Sequence, residues 1–261
     1  MTLFRGPTRW LQIVSLPAAL VAIGLMAVAA WGAGVQRHAL WPVVQACVAT
    51  YRLIGSPFPC LKVDLQGGEG RGFVVLRPPI GEPDTILSPI RHVTGVEDPF
   101  LQSPDAPNYF ADAWDARSLL DSDGPIDPTR VALVVNPAIV RSQDQMHIHI
   151  ACLVPEAATV LRVFAPRAPI GEWAKLGALI PHSVFWIYRT GQADLAGVYP
   201  FRLAAEGLAG MARSRADVTI AVASVPMDGT DEFVVLATYV NAPHQWWPMG
   251  SDDLLEYSCG D

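Results

Sequence analysis

Apolar positions along the chain form one long unbroken run, several short runs and a few helical stripes. The long run extends from Trp10 to Gln36 without a charge; Arg5 and Arg9 precede it and Arg37 closes it. About 20 apolar residues cross a bilayer, so the pattern predicts a transmembrane anchor over 10–36. The basic residues before it predict that residues 1–9 are cytoplasmic and the body is exported, with Trp10 and Trp31 near the interfaces. The rival reading is a cleavable leader, since Ala27-Val28-Ala29 fits its cleavage pattern. The run exceeds the about 7–15 residues of a leader core, which favours a retained anchor.

The short runs read as strands. GFVVL (72–76) and TILSPI (85–90) flank a turn through Pro78-Pro79 and Gly81-Glu82-Pro83-Asp84, an expected antiparallel pair. VALVV (131–135) ends at Asn136-Pro137, and QMHIHIACLV (145–154) follows a short loop. DVTIAVASV (217–225) and EFVVLATYV (232–240) form a final hairpin around Met227-Asp228-Gly229-Thr230. A helical stripe of Phe110, Ala113, Trp114 and Leu120 follows Asp105-Ala106-Pro107, with the cap expected at Asp105 or Ala106 and the stop at Asp121-Ser122-Asp123. Further helices are expected near 156–164 and 199–213. Hairpin-linked strands interrupted by helices indicate an α+β fold. Residues 37–66 read as a disulfide-tied connector and 67–261 as the working domain, with Gly67-Gly68-Glu69-Gly70 between them.

Composition narrows the function. Hydrophobic residues make up 51% and net charge is −7, with lysine only at Lys62 and Lys175, which argues against nucleic acid as a partner. Four cysteines in an exported chain suggest two disulfides. Three pairings are possible; we expect Cys47 with Cys60 and Cys152 with Cys259. No pair has the close spacing of a zinc site.

The chemistry concentrates in QMHIHIAC. Strand alternation puts Gln145, His147 and His149 on one face and Met146, Ile148 and Ile150 on the other. The two histidines can be ordinary surface groups. They can be metal ligands, with His92, His182 or Asp144 as a third. Or one can be a nucleophile that attacks phosphorus.

VALVVNPAIVRSQDQMHIHIAC resembles the histidine-triad superfamily, in which an Asn-ending strand and a short loop precede alternating His and apolar residues. Gln145 stands where that pattern has its first His. SPIRHVTGVEDP (88–99), PNYFADAWDAR (107–117), CLVP (152–155) and Cys259, with the anchor and the GFVVL strand, are similar to the CDP-diacylglycerol pyrophosphatase family. The likeness spans most of the chain and is weakest over 156–216.

This resemblance implies an α+β, histidine-triad-like antiparallel sheet on an N-terminal membrane helix, in the bacterial inner membrane with the domain on the periplasmic side. It implies hydrolysis of CDP-diacylglycerol to CMP and phosphatidate, without cofactor or metal. His147 is then the nucleophile toward the cytidylyl phosphorus, and His149 donates to a non-bridging oxygen. Asn136 and Ser142 position the nucleotide or leaving group. Arg91 and Arg141 are candidates to grip the diphosphate, and His92 or His182 to supply an acid. A phosphate monoester has its second pKa near about 6 and leaves without a proton, so an amide donor at Gln145 would suffice. Tyr109 and Trp114 read as helix packing; Trp246 and Trp247 are candidates for the bilayer interface. The alternatives are a nucleotidyl transferase with the same intermediate, or a non-catalytic exported nucleotide- or lipid-binding protein.

Overall fold

The computed structural model describes residues 36–257 and 259, apart from 69, 79–83 and 121–123. The expected anchor (Gln36 aside), the core of the turn at 79–83 and the stop at Asp121-Ser122-Asp123 lie outside the described residues. Among the described residues, no helix is long and apolar enough to cross a membrane.

In chain order the helices are α1 (Leu40–Ile54), α2 (Tyr109–Asp115), α3 (Pro155–Phe164), α4 (Pro200–Gly207) and α5 (Ser251–Leu254). The strands are β1 (Lys62–Asp64), β2 (Phe73–Leu76), β3 (Thr85–Pro89), β4 (Val131–Val135), β5 (Ile148–Leu153), β6 (Trp173–Gly177), β7 (Phe185–Arg189), β8 (Val218–Pro226), β9 (Asp231–Tyr239) and β10 (Leu255–Glu256). They join one antiparallel sheet in the order β1-β2-β3-β5-β4-β8-β9-β7-β6. The fold is α+β, as the alternation of short apolar runs and helical stripes suggested. β10 pairs with β5 at Leu255↔Leu153, beyond the point where β3 begins at Thr85↔Ile150. The end of the chain thus completes the ladder of the strand that carries His149.

Each face of the sheet is covered. One face carries Val75, Leu87, Leu133, Ile148, Ile150 and Val222 against α2 and α4, through Tyr109, Phe110, Ala113, Phe201 and Ala204. On the other, α1 packs Leu40, Val44, Cys47 and Val48 onto Val74, Leu76 and Ile86. That i, i+4, i+7, i+8 spacing makes one helical stripe. Gly55, at φ 71°, ends α1 by donating its N–H to the Tyr51 carbonyl at 2.9 Å. Further along this face, α3 packs Ala157 and Leu161 onto Ala132, Val134, Ala151, Ala221 and Ala223, whose small side chains let the helix approach.

Several elements differ from expectation. Residues 37–66 contribute α1 and the edge strand β1 to the sheet itself. β5 begins only at Ile148, so Gln145, Met146 and His147 precede the strand. Asn108 caps α2, its side-chain oxygen accepting from Ala111 N–H at 3.3 Å, in place of Asp105 or Ala106. The helix expected over 199–213 stops at Gly207. The disulfides agree with expectation, joining Cys47 to Cys60 and Cys152 to Cys259.

Candidate active site

The sheet register builds the site. His149 lies opposite Ile86 on β3 and Val134 on β4, and directly opposed residues share a face. Strand alternation then brings Asp84 and Ser88 from one side, and Asn136 from the other, onto the face of His147 and His149. The group sits between the patch under α1 and the patch under α3. Asp84, Ser88, Asn136, Gln145, His147 and His149 are all buried.

His147 places Nδ1 2.8 Å from the backbone oxygen of Gln145. A carbonyl only accepts, so the proton is on Nδ1 and Nε2 carries the lone pair. Burial first, and then the neighbouring His149, push the imidazole down to about 4. It is therefore neutral at physiological pH. The His149 ring lies 4.8 Å away, edge to face.

His149 is held from both sides. Its Nδ1 donates to the Asp84 carboxylate. Its Nε2 lies 3.3 Å from Asn136 Nδ2. Asn136 Oδ1 accepts the backbone N–H of Ser251 at 2.7 Å, which fixes the amide so that its NH₂ faces the imidazole. The same NH₂ donates to Ser251 Oγ at 3.0 Å. His149 Nε2 is thus an acceptor, in place of the donor role expected from the sequence. Asp84 and Ser251 were missed. Their partners lie 65 and 115 positions away in the chain, and no local motif links them.

A family model described as CDP-diacylglycerol pyrophosphatase matches residues 35–260. The chain belongs to the CDP-diacylglycerol pyrophosphatase family. The chain is accordingly a hydrolase. The protein named CDP-diacylglycerol pyrophosphatase in Yersinia pestis is 33% identical over 228 residues, covering 86% of this chain and 84% of its own. Probable CDP-diacylglycerol pyrophosphatases are 36% identical over 129 residues in Mycobacterium leprae and 35% over 144 in Mycobacterium tuberculosis H37Rv, covering 48% and 54% of this chain and 47% and 54% of their own lengths.

Within this member of the CDP-diacylglycerol pyrophosphatase family, the other residues singled out from sequence divide between the site and its frame. Gln145 is 1% exposed. Its NH₂ donates to Pro89 O at 2.9 Å, Arg91 O at 3.0 Å and Ser88 Oγ at 3.2 Å, while its oxygen accepts from Val93 N–H at 3.3 Å. The amide expected to face the leaving group is spent on stapling residues 88–93 to the histidine segment. Arg141 is buried between Glu97, at 2.7 Å, and Asp144, at 3.1 Å. Its charge is answered by two carboxylates, which suits a strut in the 137–144 loop better than a grip on phosphate. Arg91 lays its guanidinium over the Phe100 ring at 3.7 Å, and His92 meets Trp41 edge-on at 5.3 Å. His182 stacks on Trp246 at 3.9 Å, and Asp144 is held by Arg37 at 2.9 Å. Ser142 lies on the exposed side of its loop. Among the described residues, no three of His, Cys, Asp and Glu converge as a metal-holding group.

Glycines hold the close approaches. A Cβ on Gly250 would stand 2.6 Å from Val140 Cγ1 and 2.8 Å from Asn136 Oδ1. The backbone before Ser251 can reach Asn136 only without a side chain there.

Proposed function

We propose that this chain hydrolyses CDP-diacylglycerol to CMP and phosphatidate through a nucleotide held covalently on His147. The observation that carries the reading is the pair of buried Nδ1–H imidazoles, ring centroids 4.8 Å apart, in a chain of this family. Asn136 at the end of β4 and His147-x-His149 leading into β5 support a histidine-triad-like reading of the sheet.

In the first half, His147 Nε2 attacks the cytidylyl phosphorus. The P–N bond forms and the P–O bond to phosphatidate breaks, with the electron pair leaving on the phosphate oxygen. That group needs no proton near neutral pH, since its second pKa is about 6. An occupied Gln145 amide is therefore no obstacle. In the second half, water displaces the Asn136 NH₂ from His149 Nε2 and attacks phosphorus as that nitrogen takes its proton. The Asp84 carboxylate stabilises the imidazolium that forms. The P–N bond breaks, His147 leaves as neutral imidazole and CMP is released.

Two closed disulfides support an exported body, because such bonds persist in oxidising compartments. With the uncharged run over 10–36, this supports a single-pass protein of the bacterial inner membrane whose domain lies outside the cytoplasm. A tethered enzyme also meets a lipid substrate at high local concentration.

The test is trapping by a denaturing quench at alkaline pH, where a phosphorus–imidazole bond survives, with cytidine-labelled substrate. The wild type should carry label in turnover and His147→Ala none, with CMP release abolished and EDTA without effect. Undiminished CMP release from His147→Ala would remove the nucleophile. Label passing to added alcohols in preference to water would make the enzyme a transferase.

A further inference from the structure

The loops at one end of the sheet share an unexplained property. β4 ends and β5 begins there, and by register β8 begins, β9 ends and β7 begins at the same end. The loops following β4, preceding β7 and following β9 carry Ile139, 67% exposed, His182, and Trp246 and Trp247, 73% and 43% exposed. His182 stacks on Trp246, and the backbone at Gly250 presses against Val140, so the 243–250 and 137–144 loops meet.

The chain enters the fold at this same end. Arg37 Nη2 donates to the Ala138 carbonyl at 3.3 Å and to Asp144 at 2.9 Å, and Leu40 N–H donates to the Gln143 side chain at 2.9 Å. The uncharged run closes at Arg37. No free linker therefore separates its last residue from the loop that carries Ile139. If residues 10–36 span the bilayer, as proposed above, this end of the sheet is the one nearest the lipid surface.

A second apolar patch sits at the opposite end of α1, where Leu53 and Ile54 are 82% and 76% exposed. At about 1.5 Å rise per residue, the length of α1 holds it on the order of 20 Å from the site end.

From this placement we infer that Ile139, Trp246 and Trp247 rest in the bilayer interface and form the rim over which a diacylglycerol substrate reaches His147 without leaving the lipid. Tryptophan suits that zone because its ring is apolar and its N–H is polar. The body carries net negative charge, so attraction to anionic headgroups is not what holds it. The inference rests on the anchor and the lipid substrate proposed above.

The experiment uses the full chain in phosphatidylcholine vesicles, with an environment-sensitive fluorophore on Ile139→Cys, Trp246→Cys or Leu53→Cys. Labels at 139 and 246 should shift to the blue and be quenched by lipids carrying doxyl groups near the headgroup, while the label at 53 reads as water-exposed. The reverse pattern overturns the rim. So does a blue shift without lipid quenching that grows with protein concentration, which would indicate a second copy on the patch. A chain that does not partition to vesicles would sink the anchor and the rim together; vesicle-bound, active protein with wet labels at 139 and 246 would sink the rim alone. As a second arm, Ile139→Asp with Trp246→Asp should raise KM for vesicle-embedded CDP-diacylglycerol by on the order of a hundredfold, the scale set by losing two buried apolar side chains. Turnover of a water-soluble short-chain analogue should be unchanged. Equal losses on both substrates would argue against the rim.

Discussion

The two histidines differ in what ties their Nδ1 atoms: a backbone carbonyl at His147, a carboxylate at His149. In the proposed mechanism, the carboxylate gives Asp84 its part in the second half-reaction. Asp84→Asn can still accept from Nδ1–H through its amide oxygen, but it removes the negative charge that would stabilise the imidazolium in the proposed second half-reaction. We expect kcat to fall by about 10²–10⁴ with nucleotidyl-enzyme accumulating, read by quench-flow. An equal loss of labelled intermediate and product would argue against this role. For His147, burial sets the acid limb: kcat/KM should hold from neutral pH down to about 4 rather than failing near 6.5. The same shift fixes a stability slope. The folded state resists protonating His147, so its contribution is complete above about 6.5 and is lost as pH falls toward about 4. Thermal melts of His147→Gln against wild type should diverge in that window. Gln145→His, which restores the triad pattern, should lower the melting temperature without raising activity. A ring cannot meet the three acceptors and one donor of that amide, and each orphaned buried partner costs about 1–3 kcal/mol. The histidines and Asn136 were legible in sequence because strand alternation and one short motif place them. Asp84 and Ser251 were not, because only sheet pairing brings them in.

At the scale of elements, the hairpins were legible wherever short β-branched runs flank turn residues, as at β2–β3 and β8–β9. β6 and β7 were not: β6 is an edge strand whose burial shows no alternation, and Lys175 interrupts it. α1 was hidden by the expectation of a connector, although its Leu40, Val44, Cys47, Val48 stripe is regular. The functional join between elements is the contact of the 243–250 segment with the end of β4. Gly250→Ala would push its Cβ onto Asn136 and Val140 and displace the amide from His149. Activity should drop by at least about tenfold while the melting temperature changes little, the pattern of a displaced catalytic geometry rather than a lost core. A variant equally crippled in both would indicate a packing role.

At the scale of the molecule, the Cys152–Cys259 bond closes a span of 107 residues that contains α3, α4, β6–β9, α5 and β10. Such a closure is worth about 4–5 kcal/mol in the chain-entropy description. Cys152→Ser with Cys259→Ser should lower unfolding free energy by an amount of that order in urea titrations, and activity should fall with it as β10 detaches from β5 and Ser251 from Asn136. Hydrolysis unaffected by the loss would show that β10 holds without its staple. The bond also bears on timing. Protein synthesis runs from the N-terminus, and the site draws on residues 84, 136, 147, 149 and 251. A nascent chain that already displays its tandem histidines still lacks the segment that orients Asn136. If the proposed site is the catalytic one, competence waits until the 250–259 segment has left the ribosome and paired with β5, and closing Cys152–Cys259 then holds it there.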